Sequence, residues 1–114
     1  MKKEYRLKNT DVIGQIVQKR IKVSSEFYTI YYKSNQDNKK LAFVAGKKCG
    51  KAHQRNYLKR TMREISREVF SQLPNIHAVV IARENVNRLS FEDKKNNLLG
   101  LYKRLSERLK NEKK

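Results

Sequence analysis

Between Lys47 and Arg67 eight cations, Lys47, Lys48, Lys51, Arg55, Lys59, Arg60, Arg63 and Arg67, stand against one acid, Glu64. Side chains of this kind bind phosphate and neutralise it. Leu58, Met62, Ile65 and Val69 recur at steps of four, three and four, which predicts a helix over about 52–72 with that stripe buried. At about 100° per residue, Arg55, Lys59, Arg63 and Arg67 share one flank with Asn56 and Arg60 beside them, while Glu64 and Glu68 take the opposite flank. A helix that needed only solubility would interleave its signs and gain a few tenths of a kcal/mol from each i,i+4 pair. Segregated cations point to a polyanion. Gly46 and Gly50 bracket the basic turn that leads in, and let the backbone bend tightly and approach a phosphate.

Chemistry of other kinds finds less support. The eleven acids are scattered, Glu92 and Asp93 sit at a helix start where they complement the dipole, and no carboxylate cluster suits two-metal hydrolysis. No Ser/His/Asp or Cys/His constellation stands out. Cys49 is the only cysteine, so a disulfide within the chain is excluded. Cys49 with His53 would supply two metal ligands, too few for a site, and the thiol reads as packed or half-exposed in the turn. His53 and His77 read as structural.

The elements that must position the basic stretch follow from pattern. A chain of 114 residues has room for one domain, 1–114, with 1–8 and 110–114 expected to be flexible. A formal charge of +17 implies nucleic acid, with an anionic membrane surface as the weaker alternative. No apolar run is long enough to span a bilayer and Met1–Tyr5 carries no hydrophobic signal core, so a cytoplasmic location is expected. Asn9 or Thr10 can cap a first helix over about 10–20, in which Val12, Ile13, Ile16, Val17 and Ile21 keep helical spacing. Lys22–Lys33 reads as strand, counting a short piece near Val23, with Phe27, Thr29 and Tyr31 on one face and Tyr28, Ile30 and Tyr32 on the other. Ser34–Asn38 is a polar turn, Lys40–Ala45 a strand, and Pro74 with Asn75 stops the second helix. His77–Arg83 is a continuous apolar run, the mark of a central strand covered on both sides, and Glu84–Leu89 a loop. Ser90 and Asp93 resemble a capping box before a third helix lined by Leu98, Leu101, Tyr102, Leu105 and Leu109, with a frayed tail from Lys110. The order αβββαβα predicts an α+β sandwich with a four-stranded sheet.

The nine residues Lys47, Lys48, Gly50, Ala52, Arg55, Asn56, Lys59, Arg60 and Arg63 match the pattern K-K-x-G-x-A-x-x-R-N-x-x-K-R-x-x-R, which resembles the signature of the bacterial ribonuclease P protein component. The likeness extends from Tyr5 to about Leu109. It implies a left-handed βαβ crossover between 40–45 and 77–83, against the usual right-handed rule. It also implies that the basic helix docks on a catalytic RNA subunit through Arg55, Asn56, Lys59, Arg60 and Arg63, with Lys47, Lys48 and Lys51 adding to the field and Arg67 extending the flank. The single-stranded 5′ leader of precursor tRNA would lie in a cleft between the first helix and the sheet.

Tyr31 matches the family's strand tyrosine, with Tyr28 beside it; either could equally be an ordinary strand residue. Arg83 matches a family arginine, and reads equally as a strand-end cation. Ile13 and Val17 stand where relatives often carry phenylalanine, which places them on the leader wall without a ring to stack. The resemblance further implies that Mg2+ is bound mainly by RNA subunit and substrate, that the isolated protein is inactive, and that neither a membrane nor a protein partner is required. A ribosomal or other structural RNA binder is the alternative of a different class, and a self-sufficient metal-dependent nuclease a third.

Overall fold

The computed structural model describes residues 10–19, 21–34 and 39–112, and within them the side chains from Ile13 to Lys110. In chain order come helix α1 (Thr10–Gln18), strands β1 (Lys22–Ser24), β2 (Tyr28–Ser34) and β3 (Lys40–Ala45), helix α2 (Ala52–Val69), strand β4 (Ile76–Ala82) and helix α3 (Phe91–Glu112). Single 3-10 turns occupy Lys47–Cys49, Phe70–Gln72 and Glu84–Arg88. This is the αβββαβα order that the pattern predicts.

The strands form one sheet in the order β1-β2-β4-β3. β2 runs antiparallel to both β1 and β4, whereas β3 pairs parallel with β4, from Lys40 opposite His77 to Ala45 opposite Ala82. Parallel neighbours need a crossover, and α2 is that crossover. β4 therefore lies inside the sheet, as its unbroken apolar run requires.

Alternation assigns the two faces. Tyr28, Ile30 and Tyr32 of β2, with Leu41, Ala45, Ala78 and Val80, join Leu58, Met62 and Ile65 of α2 and Leu98, Leu101 and Leu105 of α3 in the main core. On the opposite face Ala42 and Val79 pack against Ile16 of α1, with Ile13, Tyr31, Val44 and Ile81 around them. Both faces of β2 lack a polar side because both are covered.

Local chemistry explains the breaks. Ser25 Oγ accepts from the N–H groups of Phe27 and Tyr28 at 3.3 and 3.2 Å, and this turn divides the extended run 22–33 into β1 and β2. α1 ends at Gln18, so Ile21 leaves the helical stripe; it is exposed, and its carbonyl accepts from Tyr32 N–H at 3.1 Å. Ser90 Oγ accepts from Asp93 N–H at 3.2 Å and starts α3 as the sequence suggests. α3 runs to Glu112, with Leu109 buried near its end. The expectations for residues 1–9, 35–38 and 113–114 lie outside the described residues.

One polar contact joins the two core helices. Ser66 Oγ donates to the Met62 carbonyl at 2.7 Å and lies 2.5 Å from the Tyr102 hydroxyl, with both residues buried. Ser66→Ala leaves that hydroxyl buried without its partner, and should lower the unfolding free energy by about 1–3 kcal/mol in urea titration. A variant as stable as the parent would show that the contact contributes nothing.

Candidate nucleic-acid interface

The basic turn is held by what it buries. Cys49 is 2% exposed, and its Sγ donates to the Ala82 carbonyl at 3.5 Å. Its carbonyl accepts from Asn87 Nδ2 at 2.7 Å, and its N–H reaches Gly46 O at 2.9 Å. With Cys49 drawn inward against the end of β4, Lys47 and Lys48 are left outside. Gly50 has φ +119°, a region favouring glycine, and a Cβ there would run into the Gln54 side chain. That side chain is committed: Gln54 Oε1 accepts from Lys51 N–H at 2.9 Å, satisfying a donor at the start of α2.

Burial makes the Cys49 thiol a poor nucleophile. Desolvation pushes its pKa up and Glu84 adds to the rise, against a backbone hydrogen bond from Gly46 and the charge of Arg55, which pull it down. Of the packed and half-exposed thiols that the sequence allows in the turn, the structure has the packed one. His53 is exposed on α2.

Along α2 the cations divide by depth. Asn56, Arg60 and Arg67 are exposed, whereas Arg55, Lys59 and Arg63 are half-buried towards β3. The Arg63 guanidinium lies 6.0 Å from the Phe43 ring centroid of that strand. The flank thus runs beside the sheet edge and continues through Lys51 into the turn. Glu64 is exposed and Glu68 reaches across to α3, its carboxylate 3.1 Å from Lys95 Nζ, so the acidic side is separate.

A groove of about 620 Å³ opens on the other face of the sheet. Thr29, Tyr31, Val44 and Ile81 line it together with Lys22, Lys47, Lys48, Arg83 and Glu84. Lys22 Nζ stands 5.5 Å from the centroid of the Tyr31 ring. Arg83 is exposed at one end, its guanidinium 3.4 Å from the Ser25 carbonyl and its N–H 2.9 Å from Phe27 O. An apolar and aromatic lining beside four cations suits a single nucleic-acid strand, bases inward and phosphates at the edge.

Sequence-predicted residues fall unequally on this surface. Tyr31 and Arg83 share the groove with Lys47 and Lys48, which the resemblance assigns to the field of the RNA-docking surface. Tyr28 does not belong to it: strand alternation turns the side chain to the α2 and α3 side, where it is 0% exposed, and burial raises its phenol pKa far above the usual range. Its assignment to leader contact is therefore corrected. Ile13 packs in the small core under α1, Val17 is half-buried, and neither lines the groove.

Thr29, Val44 and Ile81 were not legible as partners, because their adjacency depends on which strands pair; only the Thr29 and Tyr31 alternation signals it. His77 lies between Lys33 and Lys40 in strand register. Burial first, then those two ammonium groups, lower its pKa and favour neutral imidazole.

The family model described as Ribonuclease P matches residues 1–106. The ribonuclease P protein component of Syntrophomonas wolfei is 33% identical over 104 residues, covering 90% of this chain and 87% of the relative. That of Phytoplasma australiense is 34% identical over 98 residues, covering 83% and 85%. Among solved structures, the RNase P protein of Staphylococcus aureus superposes with a TM-score of 0.81 at 28% identity, over 87% of this chain and 93% of that one. The RNase P protein of Thermotoga maritima gives 0.77 at 32%, over 87% and 96%.

The buried turn has a direct check. At neutral pH iodoacetamide should leave Cys49 unmodified in the folded protein and alkylate it readily in denaturant, read by mass spectrometry. Rapid alkylation without denaturant would mean that the turn does not pack against Ala82 as described.

Proposed function

Because this chain belongs to the ribonuclease P protein component family, we propose that it is the protein subunit of a bacterial-type ribonuclease P, assisting the endonucleolytic removal of the 5′ leader from precursor tRNA. The observation that carries this reading is one basic surface serving two faces of the sheet. The α2 flank with Arg55, Asn56, Lys59, Arg60, Arg63 and Arg67 docks on the RNA subunit. The Lys47–Cys49 turn passes from that flank into the groove, where Tyr31, Arg83, Lys47 and Lys48 hold the leader.

The chemistry belongs to the RNA in this proposal. Among the described residues no three His, Cys, Asp or Glu side chains are grouped so as to hold a metal ion, and the proposal assigns Mg2+ mainly to RNA subunit and substrate. The protein contributes by neutralising phosphates, lowering the repulsion between two RNAs, and by fixing the leader so that the scissile bond is positioned. No helix among the described residues is long and apolar enough to cross a membrane. A cytoplasmic site of action and independence from other proteins belong to the same proposal.

Reconstitution tests it. RNA-free protein should leave precursor tRNA intact, the RNA subunit alone should cleave slowly at high Mg2+, and the mixture should cleave efficiently at low Mg2+. Within that assay Tyr31→Ala should weaken binding of precursor tRNA more than of mature tRNA. Cleavage unaffected by the protein at any Mg2+ concentration would move the chain to the structural RNA binders, and equal weakening of both tRNAs would make Tyr31 a core residue only.

A further inference from the structure

The Tyr31 groove crosses the strands in one row. Ser24 is paired with Thr29, Thr29 with Ile81 and Ile81 with Val44, and all four residues line it. Three strand spacings of about 4.8 Å make the crossing about 14 Å long. It runs from the Lys47 and Lys48 turn after β3 to Lys22 and Ser24 of β1. β1 is an edge of the sheet, so what borders that edge decides where a strand leaving the groove can go.

The border is made of arginines. In an antiparallel edge strand alternate carbonyls face outward, away from the ladder. Arg108 Nη1 donates to the Lys22 carbonyl at 2.6 Å and Arg104 Nη1 to the Ser24 carbonyl at 3.1 Å. Arg83 Nη1 donates to the Ser25 carbonyl at 3.4 Å. The buried side of α3 packs on the other face of the sheet, so Arg104 and Arg108, one turn apart on that helix, reach round the edge. Capping carbonyls uses little of what these side chains offer. A guanidinium carries five N–H donors, and all three arginines and Lys22 are exposed. Glu26, Glu84 and Glu107 are the acids next to them along the chain, and among the described residues none forms an ion pair with them. Four cations without a counter-charge repel one another, and a polyanion relieves that repulsion.

We propose that Arg104 and Arg108, with Lys22 and Arg83 at the mouth of the groove, bind phosphates of the leader where it continues beyond the groove over the β1 edge. This rests on the reading of the chain as a ribonuclease P protein with the leader in the Tyr31 groove. The leader rather than the RNA subunit is the occupant because Lys22, Ser24 and Arg83 belong both to the groove lining and to the arginine border. The α2 flank lies at the opposite edge of the sheet, beside β3. A guanidinium already anchored on a carbonyl loses little side-chain freedom when a phosphate arrives. Phosphate contacts carry no sequence information, so this border adds affinity with leader length and no base preference.

Precursor tRNAs with leaders lengthened one nucleotide at a time, bound to the protein in complex with its RNA subunit, locate the site. With the parent protein, affinity should go on rising after the leader has filled the groove. The double variant Arg104→Ala with Arg108→Ala should bind mature tRNA and the shortest leaders within about two-fold of the parent, and lose roughly ten-fold on the longest. On long leaders alone its slope of log K against log salt should fall by about 1.4, at roughly 0.7 for each phosphate contact of a single strand. Arg104→Gln with Arg108→Gln keeps an N–H donor for each β1 carbonyl; it guards against a loosened edge and should lose as much as the alanine pair. The proposal is overturned if the double variants lose affinity equally at every leader length. It is overturned equally if the glutamine pair binds long leaders as the parent does, or if affinity for the RNA subunit itself falls. A parent complex that binds precursor and mature tRNA alike would instead overturn the leader-holding function on which the proposal rests.

Discussion

Parallel pairing of β3 with β4 is the constraint from which the placement of every basic residue follows. Neighbouring parallel strands cannot be joined by a hairpin, so the chain leaves the sheet at Ala45, crosses as α2 and returns at Ile76. The crossover begins with a tight turn at the end of the sheet, and that turn presents Lys47 and Lys48 to one face. It continues with a helix whose apolar stripe must be buried on the other face, which leaves Arg55, Lys59 and Arg63 beside the β3 edge. Two cationic surfaces on opposite sides of one sheet are thus joined through a few residues of backbone.

A net charge of +17 on so small a fold works against compaction through self-repulsion. The structure offsets it with apolar burial on both faces of the sheet and with cations leaning on rings, as Lys22 does on Tyr31 and Arg63 on Phe43. The cationic surfaces are consequently made from residues that also pack. Arg63 and Tyr31 each have one part in a core or against a strand and another turned to solvent.

Much of this was legible in the sequence, because period-3.6 and period-2 patterns are imposed by burial. Leu58, Met62 and Ile65 named the buried face of α2, Leu98, Leu101 and Leu105 that of α3, and the unbroken run at 77–83 marked a strand covered on both sides, which the structure places at Ile76–Ala82. Alternation even separated Tyr28 from Tyr31. It did not say which of the two faces would carry the groove, since neither is polar, and so Tyr28 was grouped with the binding residues until its position in the main core excluded it. The groove itself was out of reach, for Val44 and Ile81 meet Thr29 and Tyr31 only through strand order and register, which are long-range facts. Lys94, 6% exposed on α3 with its ammonium 5.4 Å from the Tyr57 ring centroid, was hidden for a different reason: a lysine at a stripe position reads as the end of the buried face.

The claim that two surfaces serve two RNAs is tested most directly by directed hydroxyl-radical probing in the ternary complex. Iron chelate would be tethered to a cysteine introduced by Lys59→Cys on the α2 flank or by Thr29→Cys in the groove, the native Cys49 being buried. The account predicts strand scission in the RNA subunit from position 59 and in the precursor leader from position 29. Scission of the same RNA from both positions, or the reverse assignment, would contradict it.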